Sequence, residues 1–144
     1  MMTKVSRSAV VPFSPAKMYR LVNAIDTYPR FLPACHDARI WSQTDDEIKA
    51  SLTLQKGPLK MTFTTRNRLS PDKRIDMKLE DGPFKRLDGV WSFDPAGEGG
   101  CVVNFELDYE FTNRVLKATA GKLFEPLAGS LVDAFCRRAR QVYG

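Results

Sequence analysis

The sequence is poor in the residues that most often carry chemistry or cross-links. Among 144 residues there is one histidine, His36, and there are three cysteines, Cys35, Cys101 and Cys136. The cysteines are odd in number and widely spaced, and no CxxC pair occurs, so neither a disulfide framework nor a zinc site is predicted. We expect three reduced, partly buried thiols, as is usual in a cytosolic protein.

Long apolar runs are missing as well. Residues 1–11 contain no run long enough for a signal peptide or a membrane span, and no later segment approaches that length. A cytoplasmic location is therefore expected, with any membrane contact peripheral, at the inner face of the cytoplasmic membrane. The formal net charge of +5 favours anionic partners such as phospholipid headgroups or RNA phosphates.

No catalytic constellation is visible. His36 stands beside Asp37, and the pattern supplies neither a nucleophile nor an orienting partner for it. No glycine-rich phosphate loop and no metal-ligand spacing occurs. We predict a binding protein without catalytic residues, metal or required cofactor, and a cyclase-type activity is the alternative.

Alternation of apolar and polar residues is the strongest pattern that the sequence contains. It runs through residues 59–69, 74–80, 87–93 and 103–111. Such alternation predicts strands with one buried and one solvated face, as in an antiparallel meander. Weaker runs predict further strands at residues 3–11, 38–44 and 47–55, which makes about seven in all.

Two helical regions flank the meander. Ser14 followed by Pro15 predicts a helix start, and residues 28–33, with two prolines, predict a short apolar turn. An apolar stripe that extends to Val142 predicts one long helix from residue 112 or 113 toward residue 143. Pro126 predicts a kink near residues 122–126.

The burial needs of these elements indicate how they pack. Four strand faces rich in Phe, Trp, Leu and Met require a cover, and the C-terminal helix is the main element left to supply it. We therefore predict a single α+β domain, residues 1–144, in which a seven-stranded, curved antiparallel sheet wraps the long C-terminal helix. Two short helices follow the first strand.

Six short motifs spread over nearly the whole chain carry a family resemblance. They are residues 28–35 (YPRFLPAC), 63–67 (FTTRN), 81–87 (DGPFKRL), 89–93 (GVWSF), 109–113 (YEFTN) and 134–139 (AFCRRA). Together they resemble the coenzyme-Q-binding branch of the START superfamily, which has the helix-grip fold and is grouped with the polyketide cyclases.

The resemblance implies a cavity that accepts a polyisoprenoid quinone, most directly ubiquinone, carried by a chaperone that supports respiratory electron transport. The same branch includes a bacterial ribosome-association toxin. The alternative function is therefore binding to the large ribosomal subunit, which blocks subunit joining and inhibits translation. No DNA partner is expected.

Two sets of residues are predicted to form the ligand site. The cavity lining is predicted to comprise Phe63, Phe84, Leu87, Trp91, Phe93, Phe105, Phe111, Leu127, Leu131 and Phe135. The cavity mouth or membrane contact is predicted to comprise Tyr28, Phe31, Leu32, Pro83, Lys85 and Arg86. Leucine, phenylalanine and tryptophan walls supply affinity for a prenyl tail at about 0.8 kcal/mol per buried CH2.

Basic residues form two candidate anion-binding surfaces. Those on the predicted outer sheet face are Arg66, Arg68, Arg74 and Lys78, and those on the last helix are Arg137, Arg138 and Arg140. The outer face also carries Glu106, Asp108 and Glu110, which are expected to pair with its arginines across strands. A solvated face is the plainer interpretation of this pattern.

Overall fold

A seven-stranded antiparallel sheet and three α-helices make up the computed structural model, which describes residues 2–144. The elements are β1 (Thr3–Val11), α1 (Pro15–Asn23), a 3-10 helix (Ile25–Arg30), β2 (Cys35–Gln43), β3 (Glu47–Lys56), β4 (Leu59–Ser70), β5 (Arg74–Asp81), β6 (Phe84–Ala96), β7 (Gly100–Phe111), α2 (Arg114–Thr119) and α3 (Gly121–Tyr143). Within residues 2–144, every helix is too short or too polar to span a lipid bilayer.

The sheet order is β1-β7-β6-β5-β4-β3-β2, so the last six strands form a meander and β1 pairs with β7 at its edge. Burial alternates along β4 and β7 as the sequence pattern predicts, with the odd-numbered residues inside. Bulges interrupt the ladders between Thr64 and Thr65 and between Phe84 and Arg86. Because bulges bend a strand, they contribute to the curvature that lets the sheet wrap a helix.

The predicted helix start after β1 is confirmed. Ser14 caps α1, its hydroxyl accepting a hydrogen bond from the Lys17 backbone N–H at 3.2 Å, and Pro15 occupies the first turn. The segment predicted as a turn after α1 is partly helical, because Tyr28, Pro29 and Arg30 complete the 3-10 helix.

The C-terminal region differs from the prediction of one kinked helix. It forms two helices, α2 and α3, that meet at Ala120, and Pro126 lies inside α3. A straight continuation of α3 would carry Lys117 on the same face as the buried Phe124 and Ala128. Since burying an unpaired ammonium group is costly, the break at Ala120 leaves Lys117 exposed in solvent.

The C-terminal end of α3 also differs from the predicted apolar stripe, which extended to Val142. Val142 is 50% exposed, whereas the neighbouring Tyr143 is half-buried. The Tyr143 ring lies 5.8 Å from that of Phe13, and its hydroxyl donates to the Lys17 carbonyl oxygen at 3.0 Å. The last turn of α3 is thus fastened to the segment around α1 through Tyr143.

The three cysteines are buried and unpaired, as the sequence predicts. Cys35 opens β2, Cys101 lies on β7 and Cys136 lies on α3, so each belongs to a different element. Burial raises the pKa of the Cys35 and Cys101 thiols to about 11. These thiols are therefore protonated near neutral pH, which disfavours any role as nucleophiles.

Candidate ligand-binding site

An apolar cavity lies between the inner face of the sheet, α3 and the 3-10 helix. Its volume is about 60 Å³. The described residues that line it are Ile25, Tyr28, Ala50, Leu52, Phe63, Thr65, Asn67, Met77, Leu87, Trp91, Phe105, Leu107, Phe124, Leu127, Ala128, Leu131 and Phe135. None of these side chains carries a formal charge, so the cavity suits the apolar part of a ligand.

One wall of the cavity is aromatic and tightly packed. The Trp91 ring centroid lies 4.4 Å from that of Phe105 and 5.4 Å from that of Phe135. Phe135 in turn lies 5.2 Å from Tyr28, so the ring cluster links β6, β7, α3 and the 3-10 helix. The Phe135 contacts with Trp91 and Tyr28 are edge-to-face, and ring pairs at such distances stabilise the cluster beyond its buried area, which favours a rigid wall.

Another part of the wall is less enclosed. Leu52 on β3, Met77 on β5 and Leu131 on α3 line the cavity and are only half-buried. Methionine and leucine side chains change rotamer more readily than packed rings, and methionine fills irregular gaps. The side chains on this side of the cavity can therefore move apart to admit a ligand.

Two polar side chains interrupt the apolar lining. Thr65 and Asn67 lie two residues apart on β4 and face the interior. Asn67 is 4% exposed, and its Oδ1 atom has no hydrogen-bond partner among residues 2–144. A buried amide oxygen without a partner is uncommon, because its desolvation is not compensated.

The structure places most of the predicted lining residues at the cavity. Phe63, Leu87, Trp91, Phe105, Leu127, Leu131 and Phe135 line it. Phe84, Phe93 and Phe111 lie elsewhere: Phe84 stacks on Phe111 at 4.8 Å, and Phe93 packs edge-on against Tyr19 at 5.9 Å. Alternation identifies the buried face of a strand and not the position along it, and these three residues lie toward strand ends.

Further lining residues were not among those predicted. They are Ile25, Ala50, Leu52, Thr65, Asn67, Met77, Leu107, Phe124 and Ala128. The alternation along β4 could have identified Asn67 as an inward-facing residue, since Phe63 and Thr65 lie on the same face of the strand. For Ala50 and Ala128 no such signal exists, because a small residue is equally common in a solid core.

The residues predicted as a mouth are mostly packed or paired. The buried Tyr28 hydroxyl donates to the Val22 carbonyl oxygen, Leu32 is buried, and Phe31 packs 5.3 Å from Phe135. Burial raises the pKa of the Tyr28 phenol. Of this set, only Tyr28 lines the cavity.

Pro83, Lys85 and Arg86 do not line the cavity. Pro83 belongs to a separate shallow groove beside α2. Lys85 pairs with Glu110 at 3.9 Å, and Arg86 pairs with Asp88 at 2.7 Å. These side chains are thus engaged at the outer surface and not at the cavity edge.

The outer sheet face has more internal charge pairing than its basic residues suggest. Arg66 pairs with Glu47 at 3.1 Å and Glu80 at 2.8 Å, and Arg74 pairs with Asp76 at 2.8 Å. The acidic partners expected from β7 are too far across the sheet, because β5 and β6 separate β7 from β4. Hydrogen bonding to these carboxylates raises the pKa of the guanidinium of Arg66.

A second basic surface is not neutralised. A groove of about 270 Å³ is lined by Arg30, Phe31, Pro33, Ala134, Arg137, Arg138 and Gln141. We call it the basic groove. No acidic residue lines it among the described residues, and the Arg138 guanidinium lies 5.2 Å from the centre of the Phe31 ring. It joins the end of the 3-10 helix to the last turns of α3.

The fold and cavity correspond to a known family. Residues 11–136 match the family described as polyketide cyclase / dehydrase and lipid transport. The chain belongs to this family. The resemblance inferred from the six sequence motifs is thereby confirmed at the level of the family.

Curated relatives of the chain include proteins named as ribosome association toxins and a protein named for coenzyme Q binding. The chain is 44% identical over 142 residues to the ribosome association toxin RatA of Escherichia coli, covering 99% of this chain and 90% of that protein. The RatA of Pseudomonas aeruginosa is 42% identical over 144 residues, with full coverage of both. The mitochondrial coenzyme Q-binding protein COQ10 of Drosophila melanogaster is 25% identical, over 96% of this chain and 59% of that protein.

Solved structures confirm the helix-grip architecture. A START superfamily protein from Mycobacterium smegmatis has a TM-score of 0.76 at 20% identity, covering 96% of this chain and 98% of that one. The Zhui aromatase/cyclase from a Streptomyces species has a TM-score of 0.70 at 18% identity, over 96% and 86%. At these identities the likeness concerns the fold alone, so the cyclase carries no activity over to this chain.

Proposed function

We propose that this chain binds an isoprenoid quinone, ubiquinone in the first place, and acts as a quinone carrier or chaperone in support of respiratory electron transport. The observation that carries the proposal is the uncharged, aromatic-walled cavity beneath α3. The family description includes lipid transport, and a relative is named for coenzyme Q binding, which supports the same ligand class.

The size of the cavity defines how binding must proceed. At about 60 Å³ it is far smaller than the ~300–1,000 Å³ typical of small-molecule sites. Under this proposal the structure represents a closed form, and a quinone ring enters only when side chains on the less enclosed side move apart. Leu52, Met77 and Leu131 are the candidates, while the ring cluster around Phe135 keeps its packing.

Solvent extraction tests the proposal on the protein as it is made in a cell. The protein is purified without detergent from aerobically grown, ubiquinone-producing bacteria, extracted with organic solvent, and the extract is analysed by mass spectrometry. We expect ubiquinone to co-purify, and purified protein stripped of ligand to take it up again. A folded protein that yields no quinone and takes none up would contradict the proposal.

A second candidate function is supported by the basic groove and by the names of the more similar relatives. This function is association with the large ribosomal subunit, with inhibition of subunit joining. Arg30, Arg137 and Arg138 line the groove and make no ion pair among the described residues. Arginines without acidic partners are suited to RNA phosphates, because phosphate binding depends on net uncompensated charge.

Removing the charge of the basic groove is expected to weaken ribosome binding selectively. The variant Arg30→Gln/Arg137→Gln/Arg138→Gln is compared with Arg66→Gln/Arg74→Gln/Arg86→Gln, which loses the same charge from paired surface arginines. Co-sedimentation with large subunits is measured over a range of salt concentrations. The groove variant should reduce the salt slope by about 1 for each phosphate that it no longer binds, and the control should not.

Equal binding by the two variants, or equal weakening in both, would show that the basic groove does not contact the ribosome. No sedimentation of the unaltered protein at physiological salt would remove this second function altogether. The quinone proposal does not depend on that result, since the groove residues do not line the cavity.

A further inference from the structure

The side-chain amide of Asn67 has no role in the folded chain that explains its position. Its neighbours across the sheet are Ile48 on β3 and Met77 on β5, neither of which offers a strong hydrogen-bonding side chain. Its Oδ1 atom is buried and has no partner among residues 2–144. A buried polar group in this state costs stability, and a leucine at the same place would not.

Another buried polar residue of the sheet shows the contrast. Ser51 accepts a hydrogen bond from the Trp41 indole N–H at 2.7 Å and shares another with Thr64 at 2.5 Å. Its hydroxyl is thus satisfied within the sheet. Asn67 instead lines the cavity, next to the space that a bound molecule would occupy.

The chemistry of the lining limits which ligand groups can form a hydrogen bond with Asn67. The Asn67 carboxamide offers one acceptor oxygen and an NH2 donor, and the described lining contains no cation. A carboxylate or phosphate at the buried end of a ligand would remain uncompensated there. A quinone carbonyl can accept from the NH2 group, and a quinol hydroxyl can donate to Oδ1, so a neutral oxygen fits.

We propose that Asn67 anchors the oxygen-bearing end of an apolar ligand, so that the cavity selects neutral carbonyl- or hydroxyl-headed molecules bound head first. This inference rests on the proposed ligand-binding function. The ligand head lies against β4, and the tail leaves past the half-buried Leu52 and Leu131. Head-in binding also excludes free fatty acids and phospholipids as ligands of the deep cavity.

The test compares two variants with two probes. Asn67→Leu removes the amide at nearly constant shape. Asn23→Leu is the matched control. Asn23 has the other buried amide oxygen without a partner among residues 2–144, but it does not line the cavity. The probes are a ubiquinone with a geranyl tail and geranylbenzene, which has the same tail and no oxygen. Affinities are measured by calorimetric titration, and folding is checked by thermal unfolding.

We expect Asn67→Leu to bind the quinone about tenfold more weakly and geranylbenzene unchanged, with no effect of Asn23→Leu on either probe. Unchanged quinone affinity, or equal weakening for both probes, would overturn the anchor and leave the proposed function standing. Failure of the unaltered protein to bind either probe would instead overturn the proposed function. If Asn67→Leu does not fold, Asn67→Val supplies the same comparison.

Discussion

Ala128→Leu is expected to lower the affinity for a geranyl-tailed ubiquinone by about a hundredfold, which corresponds to about 2.7 kcal/mol, while the protein remains folded. Ala128 lies on α3, is buried and lines the cavity. A leucine there extends into the 60 Å³ cavity. It therefore occupies the space that a ligand would need to fill and widen. Leucine is also a good helix former, so any cost in stability comes from overpacking, at about 1–3 kcal/mol.

The matched control introduces the same side chain at the next position of the helix. Gly129 does not line the cavity, and a Cβ atom added to it meets no atom within 4 Å beyond its chain neighbours and the backbone of its own helix. Gly129→Leu should therefore bind quinone as the unaltered protein does. Equal affinity for quinone in Ala128→Leu and Gly129→Leu would show that the ligand does not use this cavity.

Phe135→Ala is expected to lower the free energy of unfolding by about 3–5 kcal/mol. Phe135 is 0% exposed, and its ring lies 5.2 Å from Tyr28, 5.3 Å from Phe31 and 5.4 Å from Trp91. Its truncation removes the packing that holds α3 against both the sheet and the 3-10 helix. Urea denaturation followed by circular dichroism measures the decrease in stability.

Val142→Ala is the corresponding truncation at a 50% exposed position of the same helix, and it should change the stability by less than about 0.5 kcal/mol. A decrease below about 1 kcal/mol in Phe135→Ala would mean that the aromatic cluster does not organise the core. Trp91→Ala is expected to destabilise the protein for the same reason, because the buried Trp91 belongs to this cluster.

The sheet was predictable because alternation is a local property of each strand. Along β7, every second residue from Cys101 to Phe111 is buried, and the sequence alone shows that period. The start of β2 was less predictable. Its ladder to β3 shifts register between Cys35 and Asp37 and between Ile40 and Ser42, so the alternation that marks a strand is broken there.

Features that depend on the order of strands or on how the helices pack against the sheet were not predictable. The partners of Arg66 lie on β3 and β5, because these strands flank β4, while the sequence offered the equally acidic β7. The break at Ala120 likewise depends on tertiary packing, because the face of α3 that packs against the sheet decides that Lys117 would lie in the buried stripe of an unbroken helix.

The candidate site was predictable in its character and not in its dimensions. Apolar inner faces and a covering helix implied an apolar interior, and Trp91, Leu131 and Phe135 are indeed found at its wall. The volume left between them depends on how all these side chains interlock, which no single position encodes. The unpaired amide of Asn67 becomes meaningful only when the cavity beside it is known.

Fluorescence of Trp91 tests the central claim most directly. The chain has two tryptophans, and Trp41→Phe removes the exposed one, which leaves Trp91 at the cavity wall as the sole reporter. Titration with a geranyl-tailed ubiquinone should quench this emission saturably at one equivalent, and adding Ala128→Leu should abolish the quenching. Quenching that never saturates, or that is the same in both proteins, would contradict binding of quinone inside the cavity.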